Sequence, residues 1–210
     1  MGVAYTYNEP FTFYEFMLDT AKMVHAEGLK NIVVSNGYVN PKPLEKALPW
    51  LDAFNIDLKA FTEEFYKKQT KGKLAPVLET LKIIAAGDAH LEVTNLVIPE
   101  LNDDESQFKK MIDWIARHLG DDVPLHLSRF YPQYKLQFPP TPTEKLLSFF
   151  EIASEKLKFV YLGNASDEKR STTFCPNCNE IIIRRNHFQT KIMQPGFNGK
   201  CLNCHTELNI

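Results

Sequence analysis

Residues 91–119, LEVTNLVIPELNDDESQFKKMIDWIARHL, hold a complete strand-to-helix transition. Residues 91–98 are a short apolar, β-branched run, which is the composition of a strand. After the cap-like Asn102, residues Asp103, Asp104 and Glu105 make an acidic first turn, and Phe108, Met111, Ile112, Ile115 and Leu119 recur at helical spacing. The same alternation extends in both directions. Residues 30–35 (KNIVVS), 53–58 (AFNIDL), 124–130 (PLHLSRF) and 158–162 (KFVYL) read as further strands. Phe13, Phe16, Met17, Thr20 and Val24 share a helix face after Pro10, with Gly28 as the stop; residues 74–86 repeat the pattern, and Pro142 opens a helix to about Lys156. Strands alternating with helices imply right-handed βαβ units and a mostly parallel sheet, an α/β fold. Ligands of such sheets sit at the C-terminal strand ends. The residues there are Asn36 and Gly37, Asp57 and Lys59, Asn95, and Ser128, Arg129 and Tyr131, expected to converge on one mouth.

With 210 residues, 44% hydrophobic and 24% charged, the chain supplies one ordinary core and a small appendage. A formal charge of -2 and the lack of a basic stripe with interleaved aromatics argue against a nucleic-acid partner. No apolar run approaches the roughly 20 residues that cross a bilayer, so no membrane partner is expected. The first residues, MGVAYTYNEPFTF, do not read as a secretory signal, and the expected compartment is the cytoplasm.

Cysteine usage is specific. Cys175-Pro-Asn-Cys178 and Cys201-Leu-Asn-Cys204, separated by 22 residues, have the spacing of a zinc ribbon rather than of a disulfide framework. Asn179 and His205, each following the second cysteine of a pair, tolerate the left-handed backbone such knuckles need. Zinc is the expected metal; four thiolates also suit one iron or an iron–sulfur cluster. Four sulfurs close the coordination shell, so the expected role is structural, with His205 a bystander. From about Ala165 the composition turns polar (SDEKRSTT), a linker, and the pieces EIIIRR and HFQTKIM read as short strands. The expected domains are residues 1–164 and 165–210.

The ordered segments YTYNEP (5–10), VVSNGY (33–38), NIDLKAF (55–61), EVTNLVIPELND (92–103), PLHLSRFYPQYKL (124–136) and PPTP (139–142), ending in CPNC, resemble the radical S-adenosylmethionine activating enzymes related to pyruvate formate-lyase activase, in the branch with a C-terminal zinc ribbon. The resemblance covers essentially the whole chain. It implies a partial (β/α) barrel and reductive cleavage of S-adenosylmethionine by a [4Fe–4S] cluster. By position, Asn8, Glu9 and Pro10 match the family's segment whose carboxylate accepts from the cofactor's ammonium. Ser35, Asn36 and Gly37 match the small polar segment lining the methionyl pocket. Lys59 is placed to pair with the cofactor carboxylate and Asp57 to hold ribose or ammonium; alternation puts both on one face. Arg129 and Tyr131 are further cofactor-binding candidates, although Tyr131 stands where the family often has histidine. His126 reads as a satisfied strand residue.

The family's C-x-x-x-C-x-x-C loop has no counterpart here, since all four cysteines belong to the ribbon. The resemblance then implies the C-terminal portion of a radical enzyme, beginning at the end of the second barrel strand and not catalytic alone. Its whole would generate a 5′-deoxyadenosyl radical and abstract hydrogen from a protein, of glycyl-radical type, or a small substrate. The alternatives are a non-catalytic S-adenosylmethionine-binding module or a zinc-ribbon interaction module. A barrel without its first strand leaves an unpaired edge, which favours self-association.

Overall fold

The computed structural model describes residues 1–186 and 189–210, so His187 and Phe188, the first two residues of HFQTKIM, lie outside the described residues. Six strands, β1 (Gly2–Tyr5), β2 (Lys30–Ser35), β3 (Ala53–Asp57), β4 (His90–Val97), β5 (Leu125–Arg129) and β6 (Val160–Gly163), stand in chain order in one sheet. Helices α1 (Tyr14–Ala26), α2 (Pro41–Ala47), α3 (Glu63–Phe65), α4 (Leu74–Ala85), α5 (Glu105–His118) and α6 (Thr143–Ser154) form the crossovers that parallel strands require. Each strand expected from the sequence is present to within two residues. The four-residue β1 lies where the resemblance puts the end of a barrel strand, and it is too short to carry a periodic signal of its own. The chain forms two compact units, Met1–Asn95 and Leu96–Ile210.

In the first unit β1 pairs with β2, β2 with β3 and β3 with β4, all parallel. Along β2, Asn31, Val33 and Ser35 are buried while Lys30, Ile32 and Val34 are exposed, the period of two that one covered face imposes. Asn31 is a buried polar side chain whose amide nitrogen and oxygen are both bonded. Its Nδ2 donates to the carbonyls of Ala21 and Trp50, and its Oδ1 accepts from the Tyr5 hydroxyl at 2.8 Å. That contact also explains why α1 departs from the expected face. The buried stripe is Met17, Leu18 and Ala21, with Phe16 69% exposed, because the small Ala21 lets the helix backbone approach Asn31.

In the second unit α5 buries Phe108, Met111, Ile112 and Ile115, as its spacing predicts, and Phe108 stacks on Phe149 of α6 at 3.9 Å. Asp104 caps α5, accepting from the Gln107 amide. Asn102, expected as the cap, instead pins the preceding loop, its Oδ1 accepting from the Ile98 amide and its Nδ2 donating to the Leu96 carbonyl. The polar SDEKRSTT stretch is not a bare linker. It contains a single helical turn, α7 (Glu168–Ser171), capped by Asp167. Three antiparallel strands follow, β7 (Thr173–Phe174), β8 (Ile181–Asn186) and β9 (Gln189–Ile192).

The small sheet does not stand apart. Leu125 and Leu127 of β5 lie level with Val160 and Leu162 of β6, all four buried on the face that α6 packs against. Phe159 and Tyr161 point the opposite way and are buried in one cluster with Cys175, Ile182, Cys201 and Leu208. The cysteine-bearing segment thus completes its core with Phe159 and Tyr161, on the side of β6 away from Val160 and Leu162.

Candidate functional site

Two arrangements carry chemistry. The first lies at the C-terminal strand ends of the first unit. Pro10 starts a short 3-10 turn (Pro10–Phe13), and Glu9 caps it with its carboxylate, accepting from the Phe11 amide at 3.3 Å. The same carboxylate spans to the end of β2, where Oε1 accepts from the Ser35 hydroxyl and Oε2 from the Asn36 amide, each at 2.8 Å. A carboxylate offers about four lone-pair sites. With three filled, Glu9 is fixed in orientation and keeps an acceptor position for a cationic donor. Ser35 Oγ in turn accepts from the Gly37 amide at 3.0 Å, and Asn36 Oδ1 from the Tyr38 amide at 2.7 Å, which folds the loop back on itself. Gly37 has φ +70°, and a Cβ there would lie 2.8 Å from Ile56 Cγ2. Only glycine suits both demands.

At the end of β3, Lys59 Nζ lies 2.7 Å from Asp57 Oδ2, so the two side chains share a face as their alternation predicts. Their turn is held from behind. Asn95, buried on β4, donates Nδ2 to the carbonyls of Leu58 and Lys59, and the Tyr66 hydroxyl accepts from the Lys59 amide. Burial pushes the Tyr66 phenol far up, so it stays neutral. Asn36, Tyr38, Lys59, Tyr66 and Thr70 line a cavity of about 200 Å³. Asn8 is exposed beside Glu9, and the Tyr7–Asn8 peptide is cis. Of the predicted cofactor residues, the structure links Glu9, Ser35 and Asn36 in one network and Asp57 with Lys59 in one pair.

The other two candidates belong to the second unit and meet each other there. Arg129 donates Nε to the Thr141 carbonyl at 2.8 Å and lies over the Tyr131 ring at 5.1 Å. The Tyr131 hydroxyl accepts from Arg129 and donates to the Asn164 carbonyl, both at 3.3 Å. His126 on β5 lies beside the Tyr161 ring, centroids 5.2 Å apart.

The second arrangement is the thiol group. The four sulfurs of Cys175, Cys178, Cys201 and Cys204 all lie within 4.8 Å of one another. The knuckles are built as their sequence predicts: the Asn179 amide donates to the Cys175 carbonyl and the His205 amide to the Cys201 carbonyl. Asn179 and His205 have φ +58° and +60°. The Thr206 hydroxyl beside Cys204 lowers its thiol, whereas burial raises that of Cys175. Four soft donors converging at this spacing fit one metal ion. They form one set, and the chain has no fifth cysteine, so its thiols do not fit a [4Fe–4S] cluster at a separate site. Sequence reasoning missed Gln194, whose buried side chain touches Cys201, and Arg185 and Thr173, which hold Tyr161; neither spacing nor composition marks them.

No family model matches the chain. It is 42% identical over 212 residues to an uncharacterized protein of Methanocaldococcus jannaschii, a match covering 100% of this chain and 63% of that protein. The (2S)-3-sulfopropanediol dehydratase activating enzyme of Klebsiella oxytoca is 27% identical over 155 residues, 74% of this chain and 43% of the enzyme. The benzylsuccinate synthase activating enzyme of Thauera aromatica is 24% identical over 131 residues, 62% and 40% of the two chains. A crystal structure of a domain of pyruvate-formate lyase-activating enzyme from Bacteroides vulgatus shares the fold, with TM-score 0.68 at 19% identity over 78% of this chain and 99% of that one. The chain spans 40% to 63% of the length of the curated relatives it matches. Its homologues include radical S-adenosylmethionine activating enzymes, and its fold is the α/β partial barrel of that group.

Proposed function

We propose that this chain, a homologue of the radical S-adenosylmethionine activating enzymes, is the C-terminal, cofactor-binding portion of such an enzyme and carries a structural zinc ion in its thiol group. The observation that supports this reading best is the Glu9 carboxylate, oriented by Ser35 and Asn36 with one acceptor site left over. In the proposed complex Glu9 accepts from the methionyl ammonium. Lys59 takes the methionyl carboxylate, exchanging part of its bond to Asp57, which then turns to ribose or ammonium. Ser35, Asn36 and the exposed Asn8 line the methionyl end. For Arg129 and Tyr131 the proposed cofactor contact rests on the family resemblance.

A [4Fe–4S] cluster supplies the electron for cofactor cleavage in this group, and the thiols of this chain do not fit one beside their own metal. The chain alone therefore binds the cofactor without cleaving it, and the cluster comes from a segment outside this sequence. In the proposed whole, hydrogen is abstracted from a protein of glycyl-radical type or a small substrate, in the cytoplasm. Residues 1–164 serve the barrel and 165–210 the ribbon. Among the described residues no helix is long and apolar enough to cross a membrane.

Calorimetry with S-adenosylmethionine tests the reading. The wild-type chain should bind, and Glu9→Gln should bind about 10-fold or more weakly, the worth of a charge-assisted hydrogen bond. No heat with the wild type would remove the cofactor reading. Anaerobic reconstitution with iron and sulfide should leave zinc in the ribbon and form no brown cluster. A cluster on the isolated chain would overturn the division of labour.

A further inference from the structure

The two cysteine knuckles are near copies of each other in backbone and differ in the side chains that touch their sulfurs. In both, the amide of the first cysteine donates to the carbonyl five residues on, Glu180 for Cys175 and Thr206 for Cys201, and its carbonyl accepts from the amide four residues on, Asn179 and His205. In the second knuckle Cys201 accepts from Gln194 Nε2 at 3.7 Å, and Cys204 lies 3.2 Å from the Thr206 hydroxyl of its own turn. Among the described residues, no side chain other than a cysteine hydrogen-bonds Cys175.

Gln194 is not a surface residue that drifted into contact. It is 7% exposed, and its carbonyl accepts from the Phe197 amide in the turn after β9. Its Oε1 accepts from the Leu202 amide at 2.8 Å, and Leu202 directly follows Cys201. That bond also settles which way the amide faces. An amide N–H can donate only to an acceptor, so the oxygen must meet Leu202 and the nitrogen must meet the sulfur. A buried amide placed this way suits an ionised sulfur, since a thiolate carries the stronger acceptor and the N–H···S bond offsets part of its charge.

We propose that Gln194 is a positioning residue of the metal centre, holding the Cys201 sulfur and the second knuckle in their metal-binding shape. The proposal rests on the reading that the four thiols hold a metal ion. Bonds of this kind, from a residue that does not itself touch the metal, are worth about 10- to 100-fold in affinity.

The test is titration of the full chain, reduced and metal-free, with Co²⁺, followed by sulfur-to-cobalt charge-transfer absorption, and Zn²⁺ affinity by chelator competition. Two variants separate the two bonds. Gln194→Met removes both, while Gln194→Glu keeps the acceptor for Leu202 and puts an oxygen against the sulfur. Both should bind about 10- to 100-fold more weakly than wild type, with the charge-transfer band shifted in Gln194→Glu. Wild-type affinity in both overturns the proposal. Wild-type affinity and an unshifted band in Gln194→Glu alone leave only the Leu202 bond and overturn the role of the N–H···S contact. If the wild type binds neither ion, the metal reading itself fails. Far-ultraviolet circular dichroism of each variant distinguishes lost affinity from lost fold.

Discussion

The hydroxyls of Tyr161 and Thr173 lie 2.9 Å apart and join the last strand of the large sheet to the first strand of the small one. Arg185 reinforces the joint, donating Nη1–H to Thr173 Oγ1 at 2.6 Å and lying over the Tyr161 ring at 5.1 Å. The ribbon and β6 therefore share one packed unit.

Tyr161→Phe keeps the ring and loses the hydroxyl, so urea unfolding should show a loss of about 1 kcal/mol. Tyr161→Ala also empties the shared core and should cost about 3–5 kcal/mol, the range for a buried aromatic. It should also speed metal loss to a chelator. Unchanged metal retention in Tyr161→Ala would show that the ribbon folds independently of β6.

Gly37→Ala places a methyl 2.8 Å from Ile56 Cγ2 at a positive φ. We expect about 1–3 kcal/mol of destabilisation by urea denaturation. Cofactor affinity should fall as well, since the Asn36 amide that orients Glu9 precedes the strained residue. A variant with full stability would contradict the packing described around Gly37.

Much of this was legible in the sequence. Hydrophobic runs and helical spacing locate five strands and α5 because those residues are sorted by burial alone. The cysteine spacing fixes the knuckles, and Asn179 and His205 take the left-handed backbone their position demands. Hydrogen-bond partners far along the chain were not legible. Asn102 looks like a cap by type but spends its amide on Ile98 and Leu96, while Asp104 caps the helix. Phe16 fits a helix stripe yet faces outward, since the choice among overlapping stripes is made by the approach of Ala21 to Asn31. Gln194 and Tyr161 carry no local pattern at all, because what they do depends on chain segments that only folding brings to them.

The Lys59–Asp57 pair should matter little to stability. Its side chains are 37% and 36% exposed, so solvent screens the pair to about 0–1 kcal/mol. Lys59→Met should unfold near the wild-type urea concentration while its heat of binding to S-adenosylmethionine falls sharply. A large stability loss with unchanged binding would reassign the pair to a structural role.

Acid should weaken the first unit partly through Asp52. Burial alone would raise this carboxyl, but the Lys30 ammonium and the Asn31 amide bonded to it win and hold it below the usual range. A folded pKa below the unfolded one of about 3.9 means that this stability is fully present above that value and lost as pH falls through the folded one. Asp52→Asn should flatten this part of the urea midpoint's dependence on pH below about 5. An unchanged slope would assign the acid loss to other carboxylates.

Phe159 and Tyr161 leave water only when the cysteine segment closes over them, so with a metal in the four thiols, as proposed, its supply would decide whether the last sheet strand is a finished surface or a sticky one. In a metal-starved cell a newly made chain would display two aromatic rings to chaperones and proteases. Its abundance would then be the first quantity to follow the metal.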